Sequence, residues 1–276
     1  MKHVIFCADD YGQNPTISQA IIELLGKNRL SATSCLVTFP DWLEQAKHLQ
    51  PFKQTADLGL HFNLTEGQPL SSDFSKRYGD FLSLPALLQA AFLRRLKPAL
   101  IEKELNAQLD RYVEGMGQLP RFLDGHQHVH HFPVIREVVL KVYEQRLRSV
   151  NAYIRCVHDA NALWRGSFKG LIIELTGAYA LKNALVKYQI PHNRSFAGIY
   201  NFADTQKYAD RFPVFLQQIK NGGLIMCHPG LKNSDEKDLI SAARFQEFQY
   251  FSGREFAEVC QKNEIVIARL NNPIAG

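Results

Sequence analysis

Short apolar segments alternate with helical patterns along the whole 276-residue chain. Strand-like runs are predicted at 3–8, 31–38, 57–64, 121–128, 152–157, 223–228 and 264–270. Such alternation is typical of βα units, which build a parallel sheet covered by helices. Seven or so units in a chain of this length predict an α/β protein with a distorted or incomplete (β/α) TIM-like barrel. We expect one domain over residues 1–276.

The connecting segments complete this prediction. A helix is expected to begin at Asn14-Pro15, because proline is favoured in the first turn. Further helices are predicted at 42–49, 83–95, 98–115, 133–145, 160–187, 205–220 and 238–262. A polar loop is expected at 65–80, where it would line the substrate groove, and an irregular segment at 191–205.

Polar residues stand at the ends of several predicted strands. In a (β/α) barrel the active site lies at the C-terminal ends of the strands, so we expect these side chains to converge there. They are Asp9, Asp10, His61, His126, His128, Arg155 and His228.

The pair Asp9-Asp10 follows a buried strand, where two adjacent carboxylates cannot both remain unpaired. One interpretation is a turn with a helix cap, and the other is a metal ligand beside a general base. His61 ends the strand that contains Gly59, and an ordinary hydrogen-bonded histidine is the alternative to a ligand there.

The strongest local signal is the segment 123–131, which holds four histidines within six residues. Strand periodicity predicts Asp124, His126 and His128 on one face. Imidazole is the commonest metal ligand in proteins, so we expect a metal role. Which histidine binds and which supports stays open, because a ligating histidine usually donates its other N–H to a neighbour.

Two further residues carry alternatives. His228, fixed by Pro229, is a candidate general acid or a satisfied loop histidine. Its neighbour Cys227 is not favoured as a nucleophile, because adjacent strand residues face opposite sides. Arg155 lies inside a predicted strand and must meet an anion. It could orient Asp9, bind substrate or form a structural ion pair.

One carboxylate and two histidines from three strands make an open metal site with room for water. The metal would lower the pKa of that water and polarise a carbonyl group. A free carboxylate and a free histidine nearby would supply a base and an acid. This combination predicts hydrolysis of an amide or an ester.

Four segments carry a family resemblance: 8–12 (ADDYG), 61–70 (HFNLTEGQPL), 123–130 (LDGHQHVH) and 226–230 (MCHPG). Together they make the chain similar to the YdjC-like carbohydrate deacetylases, which include chitooligosaccharide deacetylases and a hopanoid-associated branch. The segment from about 160 to 200 looks more like the latter branch.

This resemblance implies a distorted (β/α) barrel with one divalent metal ion, zinc or magnesium. The implied reaction removes the N-acetyl group of an amino sugar, either a chitooligosaccharide or an N-acetylglucosaminyl conjugate. By matching positions, Asp10, His61 and His126 would hold the metal, Asp9 would be the base and His228 the acid. The residues expected to bind substrate or support the site are Arg155, His128 and Asp124.

The same residues also bear on three other functions. A non-haem iron enzyme is disfavoured because its usual scaffold lacks βα alternation. A two-metal phosphoesterase would need more carboxylates at strand ends. A non-catalytic sugar-binding member is disfavoured because Asp9 and His228, which turnover needs and metal binding does not, are both present.

Composition bounds the partners and the location. The net charge is +5, and its 32 basic residues are spread along the chain, so no nucleic-acid partner is expected. No apolar stretch reaches about 18 residues, so no membrane span is expected. Five cysteines without a CxxC pair, and no signal peptide pattern, predict a cytoplasmic protein. Aromatic residues near 245–256 predict packing on the barrel, with a homodimer interface as the alternative.

Overall fold

The computed structural model describes residues 1–159, 168–202, 207–232 and 238–270. Within these ranges strands alternate with helices, as predicted, and there are eight strands where the sequence predicted seven or so. The strands are β1 (Lys2–Tyr11), β2 (Ala32–Cys35), β3 (Asp57–Phe62), β4 (Phe122–Gly125), β5 (Tyr153–Ile154), β6 (Phe196–Ala197), β7 (Gly223–Cys227) and β8 (Ile265–Ile267).

The α-helices cover the outside of this sheet. They are α1 (Pro15–Gly26), α2 (Trp42–Leu49), α3 (Ser72–Tyr78), α4 (Leu84–Phe92), α5 (Pro98–Met116), α6 (Ile135–Val142), α7 (Phe168–Ile173), α8 (Tyr179–Lys187), α9 (Tyr208–Gln218), α10 (Ser241–Ser252) and α11 (Arg254–Lys262). None of these helices is both long and apolar enough to cross a membrane. Three predicted segments lie partly outside the described residues, which omit 160–167 and 203–206. They are the helices at 160–187 and 205–220 and the irregular segment at 191–205.

All strand pairs are parallel, in the order β5-β4-β3-β2-β1-β7-β6, with β8 beside β1. The predicted incomplete (β/α) barrel is therefore confirmed. In the described residues β5 and β6 stand at the two ends of the strand order and do not pair with each other. Hydrogen bonds to the segment before β6 link the two ends instead. The N–H of Ile154 donates to the carbonyl of Pro191 (2.9 Å), and the Asn193 side chain bonds both backbone groups of Cys156 (2.8 Å each).

The first βα unit follows the sequence closely. The run Val4–Ala8 is apolar and buried because β1 has neighbours on both sides. Helix α1 begins where expected, since the Asn14 side chain accepts the N–H of Ile17 (3.0 Å) and Pro15 occupies the first turn. Helix α2 has the predicted bounds.

The prediction of a strand over 121–128 is wrong in its second half. β4 ends at Gly125, and His126–His131 forms 3₁₀ turns in which Gln127 and His128 have φ of 51° and 62°. The chain folds back so closely that a Cβ at Gly125 would lie 2.7 Å from the backbone nitrogen of His130. Asp124, His126 and His128 therefore do not share one strand face.

Two segments expected to be irregular contain short elements. Helix α3 lies inside the predicted polar loop 65–80, because Phe74 has a buried position and Ser71 caps its N–H. Strand β6 lies inside the predicted irregular segment 191–205, where it pairs with β7.

The aromatic residues of α10 and α11 pack on the barrel, as favoured from the sequence. Tyr250, Phe251 and Phe256 are buried, and both phenylalanines contact Phe6 of β1, with ring centroids 6.3 and 5.4 Å away. Burying one such ring is worth about 1.5–3 kcal/mol, so these helices are held firmly on the barrel.

Gly59 of β3 leaves room for the ring of Phe122. A Cβ at this position would lie 2.4 Å from that ring. We expect Gly59→Ala to lower the free energy of unfolding by about 1–3 kcal/mol through overpacking, measured by urea denaturation. Gly26→Ala is the matched control, since nothing lies within 4 Å of its added Cβ. Equal stability of the two variants would contradict this account.

Candidate metal centre

A bulge at the end of β1 directs two neighbouring carboxylate side chains into the same cavity. The pairing of β1 with β2 shifts register between Ala8 and Tyr11, and Asp10 has φ of 70°. In a regular strand Asp9 and Asp10 would face opposite sides, but a bulge can re-aim a side chain. Both are buried, and both line the cavity at the C-terminal ends of the strands.

Asp10, His61 and His126 come together from β1, β3 and the turn after β4. The Oδ1 atom of Asp10 lies 3.5 Å from His61 Nε2 and 3.0 Å from His126 Nδ1. One ligand atom from each residue falls within 4.8 Å of the others, so this group could hold a metal ion. One carboxylate and two imidazoles are a donor set that suits zinc and leaves a position for water.

Each of these three side chains has a second residue close to its far atom. Asp124 lies 2.6 Å from His61 Nδ1, and Glu66 lies 3.2 Å from His126 Nε2. Arg244 donates to the other oxygen of Asp10 at 2.7 Å. Carboxylates that bond the second nitrogen of a histidine are the usual supports of metal ligands. The residues present therefore fit a divalent cation.

Arg155 is fully buried between two carboxylates. Its Nη1 and Nη2 donate to the two oxygens of Asp9, both at 2.6 Å, and Nη2 lies 2.6 Å from Asp124 Oδ2. Asp9, His61 and Asp124 are also close enough to hold a metal. A cation there would compete with the guanidinium, so the group around Asp10 is the better candidate. Arg155 and Asp124 do not reach the cavity wall.

Charges around the centre favour ionised carboxylates. Although burial raises it, the Arg244 guanidinium and the two histidines hold the pKa of Asp10 well below its usual range. Burial lowers the pKa of His61, but Asp124, Asp9 and Asp10 outweigh it and raise that pKa to about 10. A metal ion at this nitrogen would therefore displace a proton.

His228 follows β7 on the other side of Asp9. Its Nε2 lies 4.0 Å from Asp9 Oδ2. Burial is the largest influence on its imidazole and lowers the pKa to about 4, although Asp10 and Asp9 oppose this. His228 is therefore neutral at pH 7 and could accept a proton before donating one.

Two of the remaining histidines of the cluster, His128 and His131, line the cavity, and His130 does not. His130 Nε2 lies 3.0 Å from the carbonyl of Arg155, and His131 Nε2 lies 2.8 Å from the Thr176 hydroxyl. Burial lowers the pKa of His130 to about 4, so it is a neutral support of the Arg155 backbone.

The comparisons with known proteins identify the family of this chain. The family model described as YdjC-like protein matches residues 3–262. This chain belongs to the YdjC-like protein family. Over 147 residues it is 35% identical to a chitooligosaccharide deacetylase of Proteus mirabilis (53% of this chain, 57% of that protein). Over 146 residues it is 32% identical to a carbohydrate deacetylase of Danio rerio (50% and 45%). The chain spans about half the length of the curated relatives it matches.

A solved structure agrees with the fold of this YdjC-like protein. A proposed cellobiose-phosphate cleavage protein from Enterococcus faecalis V583 matches with a TM-score of 0.72 and 20% identity. The match covers 98% of this chain and 97% of that one. At this identity the likeness concerns the fold alone.

Several residues at the centre of this YdjC-like protein were missed from the sequence. Glu66 lies within the 61–70 segment, and a carboxylate five residues after His61 was a signal that could have found it. Ser34 bonds Asp124 and His61 from β2 but resembles any small strand residue. Arg244 and Glu247 reach the site from α10, where no local pattern marks them.

Loss of Arg155 should strongly destabilise this YdjC-like protein. Arg155→Met would leave Asp9 and Asp124 buried without their cation, so we expect about 3–5 kcal/mol less stability in denaturant titrations. Arg94→Met is the control, because it removes only an exposed ion pair with Glu137 and should cost less than about 1 kcal/mol. Comparable losses in both variants would be inconsistent with this assignment.

Proposed function

We propose that this protein is a metal-dependent deacetylase that hydrolyses the N-acetyl group of an amino sugar and releases acetate. The observation that carries the proposal is the meeting of Asp10, His61 and His126 in one cavity, with Asp9 and His228 beside them. Membership of the YdjC-like family supports it, as do relatives named carbohydrate and chitooligosaccharide deacetylases.

Asp10, His61 and His126 would hold the cation. When bound there, a divalent metal lowers the pKa of water and polarises the acetamide carbonyl. Asp9 is the base in this proposal, accepting a proton as the water oxygen attacks the carbonyl carbon. Arg155 fixes the orientation of Asp9 through two hydrogen bonds. A carboxylate so held is a suitable general base.

His228 is the acid in this proposal. The C–N bond breaks as His228 donates a proton to the nitrogen, and acetate and the free amine leave. Because buried His228 is neutral at pH 7, the proton that it donates comes from the attacking water by way of Asp9. The protons therefore balance, and no external acid is needed.

The same residues bear on which metal is bound and on the alternative functions. Two imidazoles favour zinc over magnesium, which prefers oxygen ligands. A two-metal phosphoesterase is less well supported, because Arg155 already occupies Asp9 and Asp124. A non-haem iron enzyme could use the same two histidines and one carboxylate, and consumption of oxygen would reveal that alternative. The cytoplasmic location and a homodimer remain predictions.

The walls of the cavity bear on which acetylated sugar is used. Beyond the polar floor, apolar side chains line much of the space, among them Leu84, Leu88, Phe132, Ile173, Ile199 and Leu239. A free chitooligosaccharide offers few apolar groups to such a wall. This supports the N-acetylglucosaminyl conjugate over the simple oligosaccharide among the two predicted substrates.

Asp9 and Asp10 allow a matched test of the two carboxylate roles. We expect Asp9→Asn to lower zinc-dependent acetate release by about 10²–10⁴-fold while zinc affinity is nearly unchanged, because it removes the base and none of the three proposed metal ligands. Asp10→Asn should weaken zinc binding itself. Acetate is measured with an N-acetylglucosaminyl substrate panel that includes diacetylchitobiose, and zinc affinity by calorimetry. Wild-type turnover by Asp9→Asn would refute the assignment of the base.

Leu239 tests the apolar wall, since it is 94% exposed and its replacement should not affect folding. We expect Leu239→Ser to raise the KM for an octyl N-acetylglucosaminide about threefold to tenfold, because a few methylene contacts are lost. The KM for diacetylchitobiose should not change. Leu93→Ser is the control, being 52% exposed and outside the cavity wall. A uniform effect on both substrates would argue against an apolar subsite.

A further inference from the structure

The carboxyl group of Glu247 is fully buried, and each of its two oxygens accepts a hydrogen bond from a different loop. The hydroxyl of Tyr200, which follows β6, donates to Oε1 at 2.5 Å. The backbone N–H of His228, which follows β7, donates to Oε2 at 2.5 Å. A buried carboxyl is costly unless it is hydrogen-bonded, and here both oxygens are used. Glu247 therefore ties together the two loops on this side of the cavity.

The same two loops hold the imidazole of His228. The ring of Phe202 packs edge-on against it, with centroids 5.2 Å apart and planes at 87°. Nε2 then lies 4.0 Å from Asp9 Oδ2. Glu247 holds the backbone and Phe202 the ring, so the direction of the imidazole follows from contacts that Glu247 joins.

Glu247 shares α10 with Arg244, three residues before it, and residues at this spacing lie on the same helix face. Arg244 bonds Asp10 on the metal side of the cavity, and Glu247 bonds His228 on the other side. Burial is the largest influence on Glu247 and raises its pKa to about 7, although both hydrogen bonds lower it. A hydrophobic residue would fill this position at lower cost, which points to a role for the two bonds.

We propose that Glu247, with Tyr200, is a positioning residue for His228 and sets the distance over which that imidazole delivers its proton. This inference rests on the proposed deacetylase reaction. Glu247 touches no reacting atom, so its effect must act through His228. Displacement of a positioned group by about 1 Å can lower a rate about 10²-fold.

The leaving group separates a positioning role from a general structural one. The amine of an acetamide must gain a proton as the C–N bond breaks, whereas 4-nitrophenolate leaves 4-nitrophenyl acetate without one. Both reactions use the same metal and the same base. A misplaced His228 should therefore slow the amide reaction and spare the aryl ester.

The test compares Glu247→Gln and Tyr200→Phe with the wild type, all loaded with zinc. A glutamine side chain replaces one of the two accepting oxygens with an amide NH₂ group, so it cannot accept a hydrogen bond at both positions. We expect kcat for the acetamide to fall about 10–100-fold in Glu247→Gln and less in Tyr200→Phe. Zinc affinity and zinc-dependent hydrolysis of 4-nitrophenyl acetate should change less than about twofold. Glu258→Gln, an exposed position on α11, is the control and should match the wild type.

Equal losses on both substrates, or an unchanged amide rate in folded Glu247→Gln, would overturn the proposal. If Glu247→Gln fails to fold, Tyr200→Phe decides, since it removes one hydroxyl. Failure of the deacetylase function itself is recognised separately, because the wild type would then release no acetate. In that event hydrogen exchange at the His228 amide still decides: faster exchange in either variant supports the positioning role, and unchanged exchange rejects it.

Discussion

The buried fork of Arg155 between Asp9 and Asp124 is the interaction on which the rest of the centre depends. It joins the end of β1, the end of β4 and the residue that follows β5. Two carboxylates so close together in the barrel interior would repel each other without a cation between them. Although burial raises it, the guanidinium holds the pKa of Asp124 well below its usual range, and His130 in turn bonds the Arg155 carbonyl. The positions of the cavity-lining groups therefore depend on the Arg155 guanidinium, which does not itself line the cavity.

Two lines of hydrogen bonds run from this fork to the cavity. One runs from Asp124 to Nδ1 of His61, which leaves Nε2 facing Asp10. The other runs from Arg155 to Asp9, whose Oδ2 atom lies 4.0 Å from Nε2 of His228. On the opposite wall, α10 supplies Arg244 to Asp10 and Glu247 to the His228 loop. The groups expected to hold the metal and those expected to move protons thus depend on the same few buried charges.

The sequence predicted what depends on periodicity and on chain order, and it missed what depends on local backbone strain and tertiary contact. Alternating apolar runs were enough to predict a parallel barrel, and barrel topology was enough to bring Asp9, Asp10, His61, His126 and His228 together. Strand periodicity failed after Gly125, because the close approach of His130 turns the chain away. It also could not predict that a bulge would aim Asp9 and Asp10 the same way. Arg244 and Glu247 come from a helix far along the chain, so only the folded structure relates them to the site.

Charge balance gives a physical reason for a divalent cation at this centre. In the part of the chain that the structure describes, the carboxylates of Asp9, Asp10, Asp124 and Asp238 bond the guanidinium groups of Arg155 and Arg244, and Glu66 lies beside His126. These five carboxylates outnumber the two guanidinium groups by three. Although burial lowers them, the pKa values of both His61 and His126 are raised by neighbouring carboxylates, so protons on the two rings would offset part of the excess. A divalent cation between Asp10 and the two imidazoles would carry the same two charges and release those protons, which leaves the ring nitrogens free to act as ligands.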